Sequence, residues 1–108
     1  DNVINSGGIK IQAEEVEKLL RPSISVPFVI TSVPDQRLGQ AVTLLIEGRA
    51  DTEEIENRLQ TILTPYYRPK YILTTDCIPQ TGNGKVNRAE CSDLARKKLV
   101  TFLPSYPH

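Results

Sequence analysis

Residues 81–88, Thr81-Gly82-Asn83-Gly84-Lys85-Val86-Asn87-Arg88, place two glycines around an asparagine, an ammonium directly after them and a guanidinium three residues on. Two cations beside glycines suit anionic groups, phosphate first. A nucleotide-binding phosphate loop, however, has four residues between its glycines and a Ser or Thr after the lysine, whose hydroxyl holds Mg²⁺. Here one residue separates Gly82 from Gly84, and Val86 follows Lys85. The phosphate-loop reading fails. An isolated Gly-Lys pair is ordinarily a solvated loop. This lysine, though, sits on a glycine-rich and therefore flexible arm just before a helix cap. That placement suits a group delivered to an active site elsewhere.

Composition excludes other chemistry. The chain has 108 residues, enough for one domain with its own core but little room for a deep pocket. Its 13 Lys+Arg balance its 13 Asp+Glu. Nucleic-acid binders and polybasic membrane anchors both carry a basic excess, so neither partner is expected. No apolar run approaches the roughly 20 residues that span a bilayer. Cys77 and Cys91 are isolated, with no CxxC and no histidine nearby, and read as free cytosolic thiols; a cytoplasmic location is expected. The only histidine is His108, so neither a His-based triad nor a metal site is expected. Because residue 1 is Asp, the chain reads as a piece of a longer protein.

The elements that must position Lys85 can be read in order. Val3-Ile4 and Ile9–Ile11 are short extended runs around Ser6-Gly7-Gly8, which reads as a hairpin or tight loop. Ala13–Leu20 reads as a helix with Val16, Leu19 and Leu20 inward, Glu14 and Glu15 in its first turn, and Pro22 stopping it. Glu14, Glu15 and Glu17 are expected as dipole partners and surface charges. Val26–Val33 and Ala41–Glu47 read as strands joined by the turn Pro34–Gly39. Asp51 and Glu54 announce a second helix with the stripe Ile55, Leu59, Ile62 and Leu63. Tyr66 and Tyr67 read as packing residues between Pro65 and Pro69. Tyr71–Thr74 reads as a third strand and Asp76–Lys85 as a loop. Asn87 with Glu90 caps a last helix whose Cys91, Leu94 and Ala95 face inward. The expected fold is α+β: a small antiparallel three-stranded sheet, about three helices and an N-terminal β-hairpin.

Three stretches, taken together, resemble a known family. Asp1 to Glu17, with Gly7-Gly8, Lys10-Ile11 and Glu15-Val16-Glu17, resembles the motif that opens the C-terminal domain of the adenylate-forming acid–CoA ligases. Val33-Pro34-Asp35 with Gly39 is similar to their middle hairpin. Ile78 to Arg88 is similar to their closing motif, P-x-T-x-x-G-K-[IV]-x-R. The resemblance spans nearly all of residues 1–108. It implies one C-terminal lid domain, with the large N-terminal domain, which carries acid specificity, outside these residues. The Ser6-Gly7-Gly8 form resembles acyl- and aryl-CoA ligases, with the 2-succinylbenzoate–CoA ligases of menaquinone synthesis as the expected subfamily.

What the resemblance implies is specific. Lys85 would reach into a cleft and touch both the substrate carboxylate and the ATP α-phosphate, with Gly84 and Arg88 in support. Arg88 either caps and pairs locally or touches the rest of the enzyme. After pyrophosphate leaves, the domain would rotate about a hinge at Asp1. Ser6, Gly7 and Gly8 would then line the pantetheine tunnel. Asn5 stands where some members carry a second lysine. The implied partners are the N-terminal domain, a small carboxylic acid, ATP with Mg²⁺ held mainly by that domain, and CoA as co-substrate. The whole protein would be an AMP-forming ligase and the isolated domain inactive. A carrier-protein-loading adenylation domain, or a non-catalytic binding module of the same fold, are the alternatives.

Overall fold

The computed structural model describes residues 2–106, so Asp1, expected at the hinge, and His108 lie outside the described residues. Strands β1 (Val3–Ser6) and β2 (Ile9–Gln12) form an antiparallel hairpin, and helix α1 (Ala13–Leu20) follows at once. Then come β3 (Phe28–Asp35), β4 (Gly39–Glu47), α2 (Thr52–Ile62), a 3₁₀ turn at Pro65–Tyr67, β5 (Tyr71–Thr75) and α3 (Arg88–Phe102). The α+β class and the three helices are as expected. Asp51 and Asn87 cap α2 and α3, their side chains accepting from the Glu54 and Glu90 amides, and each such cap contributes about 1 kcal/mol.

The sheet is larger than expected. All five strands join it, with β4 at its centre. β4 pairs antiparallel with β3 along its length, and with β1 through Ser6 and Gly39. β5 lies against the other half of β4, from Thr43 to Glu47, and runs parallel rather than antiparallel. The reason is the connection. A two-residue turn forces antiparallel pairing, whereas a long crossover through a helix lets the chain return in the same direction. Here α2 supplies that crossover.

Both faces of β4 are covered, which explains its near-continuous apolar run, Ala41-Val42-Thr43-Leu44-Leu45-Ile46, all buried. Val42, Leu44 and Ile46 pack with Val16 and Leu20 of α1 and Leu59 of α2. On the opposite face Ala41 packs with Ala95 and Leu99 of α3, and Leu45 packs with Cys91 and Ile78. Each fully buried Leu or Ile contributes about 1.5–3 kcal/mol. The helix α1 stripe differs from expectation at two positions. Leu19 is exposed, and Glu17 is buried in its stead.

β3 forms an outer edge of the sheet, and that edge is sealed by side chains. Arg88 donates to the Ile30 carbonyl, Ser92 to the Ser32 carbonyl and Tyr106 to the Pro34 carbonyl. The Ile30 amide donates to Glu17. Alternate residues of a strand present their polar groups to the same side. Pro34 therefore falls in this register at no cost, because its missing N–H has no neighbouring strand to serve. Helix α3 and the segment after it thus cover an edge that would otherwise recruit another chain.

Candidate functional site

The lysine loop is a tight hairpin rather than a loose arm. Gln80 and Val86 form a β-bridge. The Gly84 amide donates to the Thr81 carbonyl at 3.0 Å and the Thr81 amide to the Lys85 carbonyl at 2.6 Å. The Lys85 amide donates to the Thr81 hydroxyl at 3.3 Å. This is a three-residue hairpin turn that ends on a residue of positive φ. Gly84 has φ 79°, which is why a glycine stands before the lysine. Flexibility resides in the Lys85 side chain, while its backbone is pinned. Lys85 is exposed, and among the described residues its ammonium takes part in no ion pair or hydrogen bond.

Arg88, three residues on, is committed inside the domain. Its guanidinium donates to both oxygens of Glu17, at 2.9 and 3.1 Å. Glu17 is only 3% exposed, and one of its oxygens also accepts from the Ile30 amide at 2.8 Å. Hydrogen bonding to Glu17 is the main influence holding Arg88 above the usual guanidinium range. Of the two sequence readings for Arg88, local pairing is what the geometry shows. Glu17 was missed as a surface charge. Its signal was present, since Ala13, Val16, Glu17 and Leu20 follow i, i+3, i+4, i+7, the spacing of a buried stripe.

The glycine loop is built differently at its two glycines. Gly7 has φ 60°, its amide donates to the Leu38 carbonyl at 2.9 Å, and a Cβ added there would lie 3.2 Å from the Leu38 side chain. A side chain at Gly7 would therefore sit in a left-handed backbone and have to push the Leu38 side chain aside. Gly8 has φ 84°, yet a Cβ there would meet nothing of the described residues within 4 Å. Its bare backbone faces open space. Ser6 is half-buried at the end of β1, and the Asn5 amide donates to the Gln40 side chain.

The structure keeps the two loops apart. The glycine loop is fastened at the Gly39 end of β4, through Ser6 opposite Gly39 and Gly7 on Leu38. The base of the lysine hairpin is fastened at the other end, where the Ile78 amide donates to the Glu47 carboxylate at 2.9 Å. Eight residue steps at ~3.3 Å separate those anchors by roughly 26 Å. Among the described residues no hydrogen bond or ion pair joins Ser6–Gly8 to Gly84–Lys85. Nor do the described residues contain a cluster of three side chains that could hold a metal ion. No helix is long and apolar enough to cross a membrane.

No protein-family model matches the chain. Individual proteins do. The chain is 38% identical over 113 residues to the mitochondrial malonate–CoA ligase of Bos taurus, covering 99% of this chain and 17% of that protein. It is 39% identical over 95 residues to a feruloyl-CoA synthase of an Amycolatopsis species, covering 82% and 19%. Its fold superposes on an AMP-forming acyl-CoA synthetase-like protein from Dyadobacter fermentans with a TM-score of 0.76 and 27% identity, over 87% of this chain and 29% of that one. The chain is homologous to the C-terminal region of AMP-forming acyl-CoA ligases. It spans less than a fifth of the length of these two curated relatives. A match to MatB from Rhodopseudomonas palustris, with a TM-score of 0.81 at 19% identity over 91% of this chain and 21% of that one, adds support for the fold.

Proposed function

We infer that residues 1–108 form the mobile C-terminal domain of an ATP-dependent acid–CoA ligase, serving its two half-reactions with two different loops. The observation that carries this reading is that the base of the lysine hairpin is anchored at the Glu47 end of β4 and the glycine loop at its Gly39 end. Two loops anchored apart are suited to entering one cleft in turn. A domain that rotates about a hinge, at Asp1 in this reading, presents each in turn.

In the first half-reaction a carboxylate oxygen bonds to the α-phosphorus of ATP and pyrophosphate leaves. Two anions must meet, and negative charge collects on the phosphoryl oxygens. Lys85 brings a compact ammonium on a flexible stem that can lie against both. Such a contact contributes about 3–4 kcal/mol, a factor of ~10²–10³ in rate. The Gly84 turn and the Arg88–Glu17 pair hold the two sides of the segment from which Lys85 projects. In the second half-reaction the thiol sulfur of CoA bonds to the acyl carbon and AMP departs. Ser6, Gly7 and Gly8 line the path of the pantetheine arm, which passes Gly8 because no Cβ intrudes. Mg²⁺ would accompany ATP. The described residues do not fit it, so it belongs with the rest of the ligase.

The acid is a carboxylate, and a small one in the narrower reading. Homologous ligases are named for malonate, ferulate, acetate and oxalate, and also for medium- and long-chain fatty acids. The narrower reading as a 2-succinylbenzoate–CoA ligase of menaquinone synthesis rests on the Ser6-Gly7-Gly8 form alone. A cytoplasmic location rests on the free thiols, and the bovine relative is mitochondrial.

Pyrophosphate exchange tests the reading. The chain by itself is expected to show none with any acid of a carboxylate panel, and the same chain joined to its ligase body is expected to show exchange that depends on Lys85. Exchange by the chain alone would overturn it.

A further inference from the structure

The turn between β3 and β4 is shaped by one carboxylate. Asp35 has a side chain only 5% exposed, and it is fully engaged. One oxygen accepts from the Arg37 and Leu38 amides, both at 2.9 Å. The other accepts from the Lys70 ammonium at 2.7 Å, which ties the turn to the start of β5. Leu38, whose amide Asp35 holds, offers its own carbonyl to the Gly7 amide and its side chain to the space a Gly7 Cβ would take. The body of the glycine hairpin is held by Ile4 and Ile11, which are buried in one cluster with Val42, Leu44 and Ile46. At its tip the further hydrogen-bonded ties to β4 among the described residues are the Ser6–Gly39 pairing and the Asn5 bond to Gln40. These ties at the tip all sit on the same turn or beside it.

We propose that Asp35 is a positioning residue for the glycine loop: by fixing Leu38 it sets where Gly7 and Gly8 stand, and so supports thioester formation without touching substrate. The inference rests on the reading above for what the loop does, but not for where the loop is held. A carboxylate is suited to the task because it accepts two turn amides and an ammonium at once. Alanine accepts none, and asparagine accepts the amides but loses the charge-assisted bond to Lys70.

The test uses the intact ligase with Asp35→Ala, Asp35→Asn and, as a control, Gly8→Leu. Hydrogen–deuterium exchange is followed in a peptide covering Ile4–Ile11 and in one covering Val42–Glu47 from the core. Asp35→Ala is expected to speed exchange at the glycine loop at least ~10-fold, the scale of losing one hydrogen bond, with the core peptide unchanged. Thioester formation from a supplied acyl-adenylate should slow by a similar factor, and adenylation should not. Asp35→Asn should follow the same order at smaller amplitude. It also serves if the alanine variant unfolds, which exchange in the core peptide would reveal. Unchanged exchange at the loop in a folded Asp35 variant overturns the proposal. Faster exchange with both half-reactions equally affected, or neither, overturns the positioning role. If Gly8→Leu also spares thioester formation, it is the loop's assigned function that fails, while the exchange result still decides whether Asp35 seats it.

Discussion

Arg88 and Glu17, 71 residues apart, meet through two hydrogen bonds across the edge of the sheet. The pair fastens the first turn of α3, next to the lysine hairpin, to α1 and to the Ile30 amide. Removing one partner of a fully buried pair costs about 3–5 kcal/mol; Arg88 is 26% exposed and lies 4.0 Å from Glu14, so losing Glu17 costs less than that. Glu17→Ala is therefore expected to lower the denaturation midpoint, and Glu17→Gln to lower it less, because it still accepts from Ile30. The double change Glu17→Met with Arg88→Met should recover part of the loss but not all, since the Ile30 amide stays unpaired. Equal midpoints for Glu17→Ala and the wild type would show that the pair does not stabilise the fold.

Lys85 and Gly8 are expected to fail at different steps in the full ligase. Lys85→Ala should slow adenylation by at least ~10²-fold yet still convert a supplied acyl-adenylate to thioester. Arginine at 85 should not rescue, because a planar fork replaces a compact ammonium poorly. Gly8→Leu should do the reverse. It puts a side chain into the open space beside Gly8, in a left-handed backbone that costs about 1–2 kcal/mol for such a residue. Single-turnover assays of each half-reaction decide, and loss of the same step in both variants would place the two residues in one site.

Asp35 makes stability depend on pH in a known direction. The Lys70 hydrogen bond, then the Leu38 amide, hold its carboxyl below the usual aspartate range. A group whose folded value is depressed stabilises fully above its unfolded value, about 3.9, and that contribution is lost as pH falls through the folded value. The wild type should thus exceed Asp35→Asn in stability at neutral pH, with the gap closing only below about pH 4. Denaturant titrations at a series of pH values measure the gap. A gap that stayed constant down to pH 2 would remove the charge from the explanation.

The two thiols should be distinguishable by reaction alone. Cys91 is fully buried, and burial pushes its thiol up to about 11, so little thiolate exists at neutral pH. Cys77 is exposed. A disulfide-exchange reagent at pH 8 is expected to label one thiol quickly in the native protein and both in denaturant. Rapid native labelling of two would mean that the α3 face opens readily.

Much of this protein is local and could be read from its residues. Helix caps at Asp51 and Asn87, the Gly7-Gly8 turn and the lysine before a cap each follow from short-range chemistry that neighbours in sequence settle. The motifs at Ser6–Gly8 and Gly84–Lys85 were likewise legible because backbone freedom and charge are properties of residue type. What the sequence could not determine was long-range. The parallel direction of β5 depends on where the α2 crossover returns the chain. Burial of Glu17 depends on Arg88 arriving from 71 residues away, and without that partner a carboxylate there would belong in water. Asp35 looked like an ordinary turn residue until β5 brought Lys70 to it. The separation of the two loops along β4 was decided in the same way, since pairing energies between distant strands, not local preference, choose the ends at which the loops are anchored.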